Sequence, residues 1–255
     1  MELLQVKNLK KIYSTRLGGQ QFTALHNVSF EISSGEFVAV MGASGSGKTT
    51  LLNIIASLDK PSGGAVFLEG KDMREIKDRE LSAFRRNNLG FVFQDFNLLD
   101  TFSVKDNILL PLVLSKVAVD EMERRLQPLS ARLGLESLIE KYPYEISGGE
   151  KQRTAVARAV ISNPKLILAD EPTGSLDSKA SINLLRIFHE LHEMGQTILM
   201  VTHSSMAASY ASRVLFIKDG ELFSQLYRGN ETRKEFFDKI VSTLTVLSDG
   251  GVDIG

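Results

Sequence analysis

Gly42-Ala43-Ser44-Gly45-Ser46-Gly47-Lys48-Thr49 follows the apolar run Phe37-Val38-Ala39-Val40-Met41 and leads into the helical pattern Thr50-Leu51-Leu52-Asn53-Ile54-Ile55-Ala56. Strand, glycine-rich loop and helix in that order are the context in which GxxxxGK[ST] marks a phosphate site. Glycine lets the backbone bend tightly and approach phosphate oxygens with no Cβ in the way. Successive N–H groups then face one concavity, and the helix start adds the positive end of its dipole. Lys48 is placed to reach the β- and γ-phosphates, and the Thr49 hydroxyl to ligate a magnesium ion. The competing reading is a glycine-rich turn with no ligand, and so many specified positions in the right context leave it little room. The loop is read as binding a nucleoside triphosphate.

At 255 residues the chain lies at the upper edge of one domain, and 43% hydrophobic residues suffice for a sizeable core. Thirty basic and 31 acidic residues leave a net charge of −1, which gives no bulk attraction to nucleic acid or anionic lipid. There is no cysteine, so disulfides and thiol chemistry are excluded, as suits a cytosolic protein. The start alternates Leu4, Val6, Leu9 and shows no basic-then-apolar signal segment. No apolar run approaches the ~18 residues of a membrane-spanning helix. If the protein acts at a membrane, a partner is expected to supply the spanning part.

Going outward from the loop, residues 2–13 and 22–32 alternate apolar and polar like half-buried strands, with a loop expected from Ser14 to Gln21. Pro61-Ser62-Gly63-Gly64 marks a turn before a strand at Ala65–Leu68. A charged helix is expected at 78–88 and a strand at Leu89–Phe93, ending at Gln94. From about 95 to 146 only helical patterns occur (Val104–Leu114, Val119–Leu133), which reads as an inserted helical subdomain. Ile146-Ser147-Gly148-Gly149-Glu150 closes it and opens a helix to about Ser162. Leu166–Ala169 is a buried strand ending in Asp170-Glu171, and a helix spans Ser178–Met194. Thr197–Val201 is a strand delivering His203; a hairpin turns at Asp219-Gly220. An amphipathic helix carrying Phe236, Ile240, Leu244 and Leu247 follows, with a frayed end expected from Ser248. The alternation predicts an α/β fold with a mainly parallel sheet and an antiparallel section ahead of the loop. Ligands bind such sheets at the carboxyl ends of their strands, where Gly42, Gln94, Asp170 and His203 stand.

Four apolar residues and then Asp170 form a Walker B pattern, whose carboxylate would join Thr49 at magnesium. Glu171 points elsewhere, since strand side chains alternate, and suits a base for the attacking water. Gln94 is placed to ligate the metal and position water, and His203 to hold the γ-phosphate. Tyr13, at the end of the first strand, suits stacking on a purine or is a plain edge-strand aromatic. Ser147 with Glu150 forms a capping box, and Gly148 and Gly149 at that helix start make a second anion site.

These residues resemble the ATP-binding cassette (ABC) ATPases over nearly the whole chain: GASGSGKT (42–49), Gln94, ISGGE (146–150), LILADE (166–171), Ser175-Leu176-Asp177 and His203, in order. The resemblance implies a RecA-like core over 1–94 and 163–230, a helical subdomain over 95–162 and a C-terminal helix and tail over 231–255. It implies a head-to-tail homodimer in which Ser147, Gly148, Gly149 and Glu150 of one subunit close over nucleotide on the other's Gly42–Thr50, with Asp177 crossing the interface. By the same likeness Tyr13 stacks on adenine, Gln94 senses the γ-phosphate and a membrane partner, Glu171 is the catalytic base and His203 the switch histidine; Lys48 and Thr50 belong to the nucleotide site. The commonest signature reads LSGGQ, so Glu150 is a departure. A carboxylate aimed at triphosphate would repel it, and Glu150 is expected to point back into its cap.

LLNIIASLDKPSGG (51–64), DEPTGSLD (170–177) and the stretch 203–229 resemble ATPases of bacitracin- and lantibiotic-resistance transporters, within a subgroup that also includes macrolide export and lipoprotein release. That likeness implies ATP and Mg2+ as ligands, a permease subunit, in some systems a sensor histidine kinase, no nucleic acid, and a place on the cytoplasmic face of the membrane. The alternatives are a lipoprotein-release or macrolide-efflux ATPase and a soluble regulatory ATP-binding module. Phe96, Leu98 and Leu99 are either a permease groove or subdomain core.

Overall fold

The computed structural model describes residues 1–14 and 21–249, the last two of these in backbone only. The interior of the loop expected between Ser14 and Gln21 lies outside the described residues, as does the side-chain detail of the end expected to fray. In chain order the elements are β1 (Glu2–Ser14), β2 (Gln21–Ser33), β3 (Phe37–Met41), α1 (Lys48–Ile55), β4 (Gly63–Leu68), β5 (Lys71–Asp72), α2 (Asp78–Asn88), β6 (Leu89–Phe93), α3 (Val104–Leu114), α4 (Val119–Leu133) and α5 (Gly148–Val160). β7 (Leu166–Asp170), α6 (Ser178–Glu193), β8 (Thr197–Val201), α7 (Ser205–Ala208), β9 (Arg213–Lys218), β10 (Glu221–Tyr227) and α8 (Arg233–Asp249) complete it. The chain divides into two compact units, Met1–Ile76 with Leu199–Gly255, and Lys77–Ile198.

In the first unit, β1 and β2 pair antiparallel and β4 joins the other side of β1, giving the order β2-β1-β4-β5. On β1 Leu4, Val6 and Leu9 are buried, with Leu3 buried beside them, and on β2 Val28, Phe30 and Ile32 are buried while Ser29 and Glu31 between them face water. That is the alternation of a sheet with one covered face. β3 is buried throughout, as its unbroken apolar run requires, and lies parallel to β9. β9 pairs antiparallel with β10 through Asp219 and Gly220, whose φ angles of 48° and 75° fit the tight right-twisting hairpin. α8 buries Phe236 and Ile240 completely. Its far end is held where the Lys218 ammonium donates to the Leu247 carbonyl at 3.1 Å, a cation at a helix C-terminus.

In the second unit, β6 and β7 are parallel, in register from Leu89 opposite Leu166 to Phe93 opposite Asp170. The helices share one core, in which Val104, Ile108, Leu112, Leu126, Leu133 and Leu135 are buried. α3 starts with a capping box between Ser103 and Asp106, and α4 stops at Gly134 with φ 61°. Asn107, wholly buried, donates to the carbonyls of Leu99, Phe102 and Ser103 and accepts from the Leu99 N–H. One amide thus fixes the bend between β6 and α3. Leu99 is exposed there, whereas Phe96 and Leu98 are half-buried. Among the described residues, no helix is long and apolar enough to cross a membrane.

Candidate functional site

The glycine-rich loop connects β3 to α1 and is pressed against its own unit. A Cβ on Gly42 would collide with the Ile217 carbonyl oxygen at the end of β9, and one on Gly47 with the Ala24 carbonyl oxygen on β2. Gly47 has φ 101°, a conformation that only glycine adopts without strain. The loop is also braced from the hairpin: the Gly220 N–H donates to the Ser46 carbonyl at 3.2 Å, and the His26 N–H to the Gly220 carbonyl at 2.9 Å. Lys48 is only 5% exposed, and its ammonium donates to the carbonyls of Gly42 (2.9 Å) and Ala43 (2.8 Å), curling the loop round it.

Ala43, Ser44 and Gly45 form the exposed rim, while Ser46 is buried with no partner for its hydroxyl. The cleft of about 390 Å3 along Gly42–Ser46 is completed by Ile217–Asp219 and by Leu244 and Leu247 of α8. A sequestered cation, a helix start and an orphaned buried hydroxyl on one loop fit a phosphate-bearing ligand.

Thr49 is exposed and Thr50 half-buried in the first turn of α1. Beyond β8, the Thr202 N–H donates to the Val40 carbonyl at 3.1 Å, so exposed His203 leaves the sheet beside the strand that delivers the glycine loop. Tyr13 is 40% exposed at the end of β1. Its hydroxyl donates to an Asp59 carboxylate oxygen at 2.8 Å, and the Lys11 ammonium lies 4.7 Å from its ring centre.

In the second unit, Gln94 and Glu171 follow the paired ends of β6 and β7 directly. Gln94 is exposed and Asp170 and Glu171 half-buried. Glu171 has φ 44°, a left-handed backbone rare for a side chain of its size and typical of strained functional positions. The Gly174 N–H donates to the Glu171 carbonyl at 2.9 Å, and a Cβ on Gly174 would stand 2.8 Å from the Gln94 amide carbon.

Sequence reasoning missed Gln152. Fully buried on α5, its amide donates to the Phe93 carbonyl (3.1 Å) and the Pro172 carbonyl (2.6 Å). It thereby ties the strand ends of Gln94 and Glu171 to the helix of Ser147–Glu150. Its signal was slight: a polar residue on the apolar face of a helix. Nothing local marked Asp59 as the partner of Tyr13.

At the start of α5 the capping box is complete. The Ser147 N–H and hydroxyl both donate to one Glu150 carboxylate oxygen at 2.8 Å, and the Glu150 N–H donates back at 3.4 Å. Those bonds, the backbone one foremost, hold the Glu150 carboxyl below the usual carboxylate range. Gly148 and Gly149 occupy the first turn, and a Cβ on Gly149 would press to 3.1 Å from Ala180. Asp177 is exposed and caps α6, accepting from the Ala180 N–H at 2.8 Å.

Residues 25–174 match the family model described as ABC transporter. The chain belongs to the ABC transporter family. Within it, the chain is 49% identical over 253 residues to the Bacitracin export ATP-binding protein BceA of Halalkalibacterium halodurans, covering 99% of this chain and 98% of that protein. It is 41% identical over 222 residues to the Macrolide export ATP-binding/permease protein MacB of Vibrio parahaemolyticus, covering 87% of this chain but 34% of that longer protein. Among solved structures it resembles a dimeric post-hydrolysis state of the ATP-binding cassette MJ0796 bound to ADP and Pi, with a TM-score of 0.80 and 38% identity over 88% of this chain and 98% of that one. The fold is therefore that of an ABC ATPase, and this chain is an ATP-hydrolysing subunit of the family.

Proposed function

We propose that this ABC ATPase powers the export of antimicrobial peptides of the bacitracin type through a separate membrane permease. The observation that carries the reading is the end-to-end match to a bacitracin-export ATPase. Expected partners are a second copy of the chain and a permease on whose cytoplasmic side it sits, with a sensor histidine kinase reached through that permease. Support for the homodimer comes from the dimeric relative with its ADP and Pi. A macrolide-efflux role is the second reading, favoured by the MacB relatives over the ATPase portion.

In this reading the phosphate loop, Gly42 to Thr49, takes the triphosphate. Lys48 exchanges its loop carbonyls for phosphate oxygens, which is the charge stabilisation that phosphoryl transfer needs. Thr49, Asp170 and Gln94 would hold magnesium, which neutralises phosphate charge when bound. All three would offer oxygen, and one of them is a carboxylate, which suits Mg2+, a cation that takes one or two protein carboxylates and completes its shell with phosphate oxygens and water. Glu171 accepts the proton of the attacking water, and His203 holds the γ-phosphate. Tyr13 takes the adenine. Ser147, Gly148 and Gly149 offer N–H groups at a helix start to nucleotide on the second copy, Glu150 stays in its cap, and Asp177 faces the dimer interface. Residues 1–94 and 163–230 act as the ATP-binding core and 95–162 as the arm that signals to the permease through Leu99 and its neighbours.

The test is genetic and biochemical together. Deleting the coding sequence should lower the bacitracin concentration that stops growth, and only a hydrolysis-competent copy should restore it. Unchanged peptide resistance alongside a lost macrolide resistance would favour the second reading.

A further inference from the structure

Tyr13 is held from two sides by groups with no assigned part in nucleotide handling. Its hydroxyl donates to Asp59 Oδ2 at 2.8 Å, and Lys11 lies over the ring at 4.7 Å, within the range of a cation–π contact. Lys11 is itself locked. It is 9% exposed and donates to Asp59 Oδ1 at 2.5 Å and to the Lys60 carbonyl at 2.8 Å. The Lys60 N–H donates to the same Asp59 oxygen at 2.7 Å, so both carboxylate oxygens are engaged. Partial burial would raise the Asp59 carboxyl, but the bonds from Lys11 and Tyr13 outweigh it and hold it below the usual range. Its two oxygens serve as fixed acceptors for Lys11 and Tyr13.

The place of Asp59 in the chain matters as much. It stands just beyond α1, whose first residue is Lys48 of the phosphate loop, and its N–H donates to the Asn53 carbonyl at 3.2 Å. The two ends of α1 therefore reach two different parts of a nucleotide site: the start meets phosphate, and the end sets the aromatic ring at the tip of β1.

We infer that Asp59, with Lys11, is a positioning residue for adenine recognition: it fixes the Tyr13 ring at a set distance from the phosphate loop, so that base and phosphates are gripped in register. The inference rests on the reading that Tyr13 takes the base. A ring already ordered before binding loses less side-chain freedom when the base stacks on it. Releasing it should weaken nucleotide binding roughly threefold to tenfold, the range expected for one immobilised side chain. Binding of a ligand that has phosphates and no base should not change.

The test is isothermal titration of the full chain with MgADP and with magnesium pyrophosphate, for the parent protein, Tyr13→Ala, Tyr13→Phe, Asp59→Asn and Tyr13→Ala/Asp59→Asn. Asp59→Asn and Tyr13→Phe should each weaken MgADP severalfold and leave pyrophosphate unchanged, and Asp59→Asn should add nothing in the Tyr13→Ala background. If Tyr13→Ala weakens MgADP while Asp59→Asn and Tyr13→Phe do not, the positioning role is overturned. If Asp59→Asn weakens MgADP and pyrophosphate alike, its role is structural and the inference is again overturned. If Tyr13→Ala itself leaves MgADP binding unchanged, the reading of Tyr13 as the base platform fails, and the inference with it.

Discussion

Ser147 and Glu150 satisfy each other at the N-terminus of α5, with both Ser147 donors on a single Glu150 carboxylate oxygen at 2.8 Å. The acidic side chain at the signature motif is thus turned toward its own helix. Its energetic role is local, and it can be separated from any role in nucleotide binding.

Glu150→Gln keeps an acceptor in the same place and should change unfolding free energy by less than about 0.5 kcal/mol at neutral pH. Ser147→Ala should cost about 1 kcal/mol, as loss of a cap does. Chemical denaturation of both variants decides between a capping role and an inert one, since equal stabilities would contradict the cap.

The same pair predicts a pH dependence. The folded Glu150 carboxyl is lowered, so its contribution is fully present above the unfolded carboxylate value and fades as pH falls through the folded one. That window lies below about pH 4.3. Parent protein should lose more stability than Glu150→Gln on acidification through it, and parallel curves from pH 6 to pH 3 would refute the assignment.

Glu171→Gln should lower ATP turnover by at least about 100-fold, the usual size of a general-base contribution, with nucleotide binding retained. Held with MgATP, this variant should elute as a dimer and revert to the smaller species on nucleotide removal. Phosphate release at the parent rate would take Glu171 out of the base role.

Gln152→Ala removes the side-chain donor to the buried Pro172 carbonyl and one of two donors to the Phe93 carbonyl, which keeps the Phe96 N–H at 3.3 Å. A loss of about 1–3 kcal/mol is expected from the one acceptor left unsatisfied. Because these carbonyls flank Gln94 and Glu171, turnover should fall further than affinity does. A drop in affinity alone would show that Gln152 supports folding and not the alignment of the reacting groups.

Gly47→Ala meets both a left-handed φ of 101° and the Ala24 carbonyl, whereas Gly45→Ala meets a left-handed φ of 80° in open space. The first should destabilise the chain by about 2–4 kcal/mol and the second by about 1 kcal/mol. Equal shifts in melting temperature would mean that the loop is not pressed on β2 as described.

Most elements were legible because their patterns are local. α3 and α4 have the bounds that their apolar spacing predicts, and the unbroken apolar runs at 37–41 and 166–169 are buried in strands. What stayed hidden depends on partners distant in sequence. Nothing in Ala65–Leu68 reveals that β4 pairs with β1, because strand pairing is chosen by tertiary packing and not by periodicity. β5 and α7 are too short to show a period. Phe96, Leu98 and Leu99 divided, two half-buried and one exposed, because a bend held by Asn107 follows no regular repeat. In the site, the motif residues were readable and their supports were not. Asp59 and Gln152 act across gaps of 46 and 59 residues, and no spacing rule reaches that far.

The turn of the terminal hairpin touches the phosphate loop through Gly220 and Ser46. Anyone grafting a fluorescent reporter or affinity handle onto this ATPase would be tempted by that surface bend. A graft there should blunt nucleotide affinity even though it sits more than a hundred positions downstream of the glycine motif. Gly195, whose surroundings are open, is the gentler place to insert.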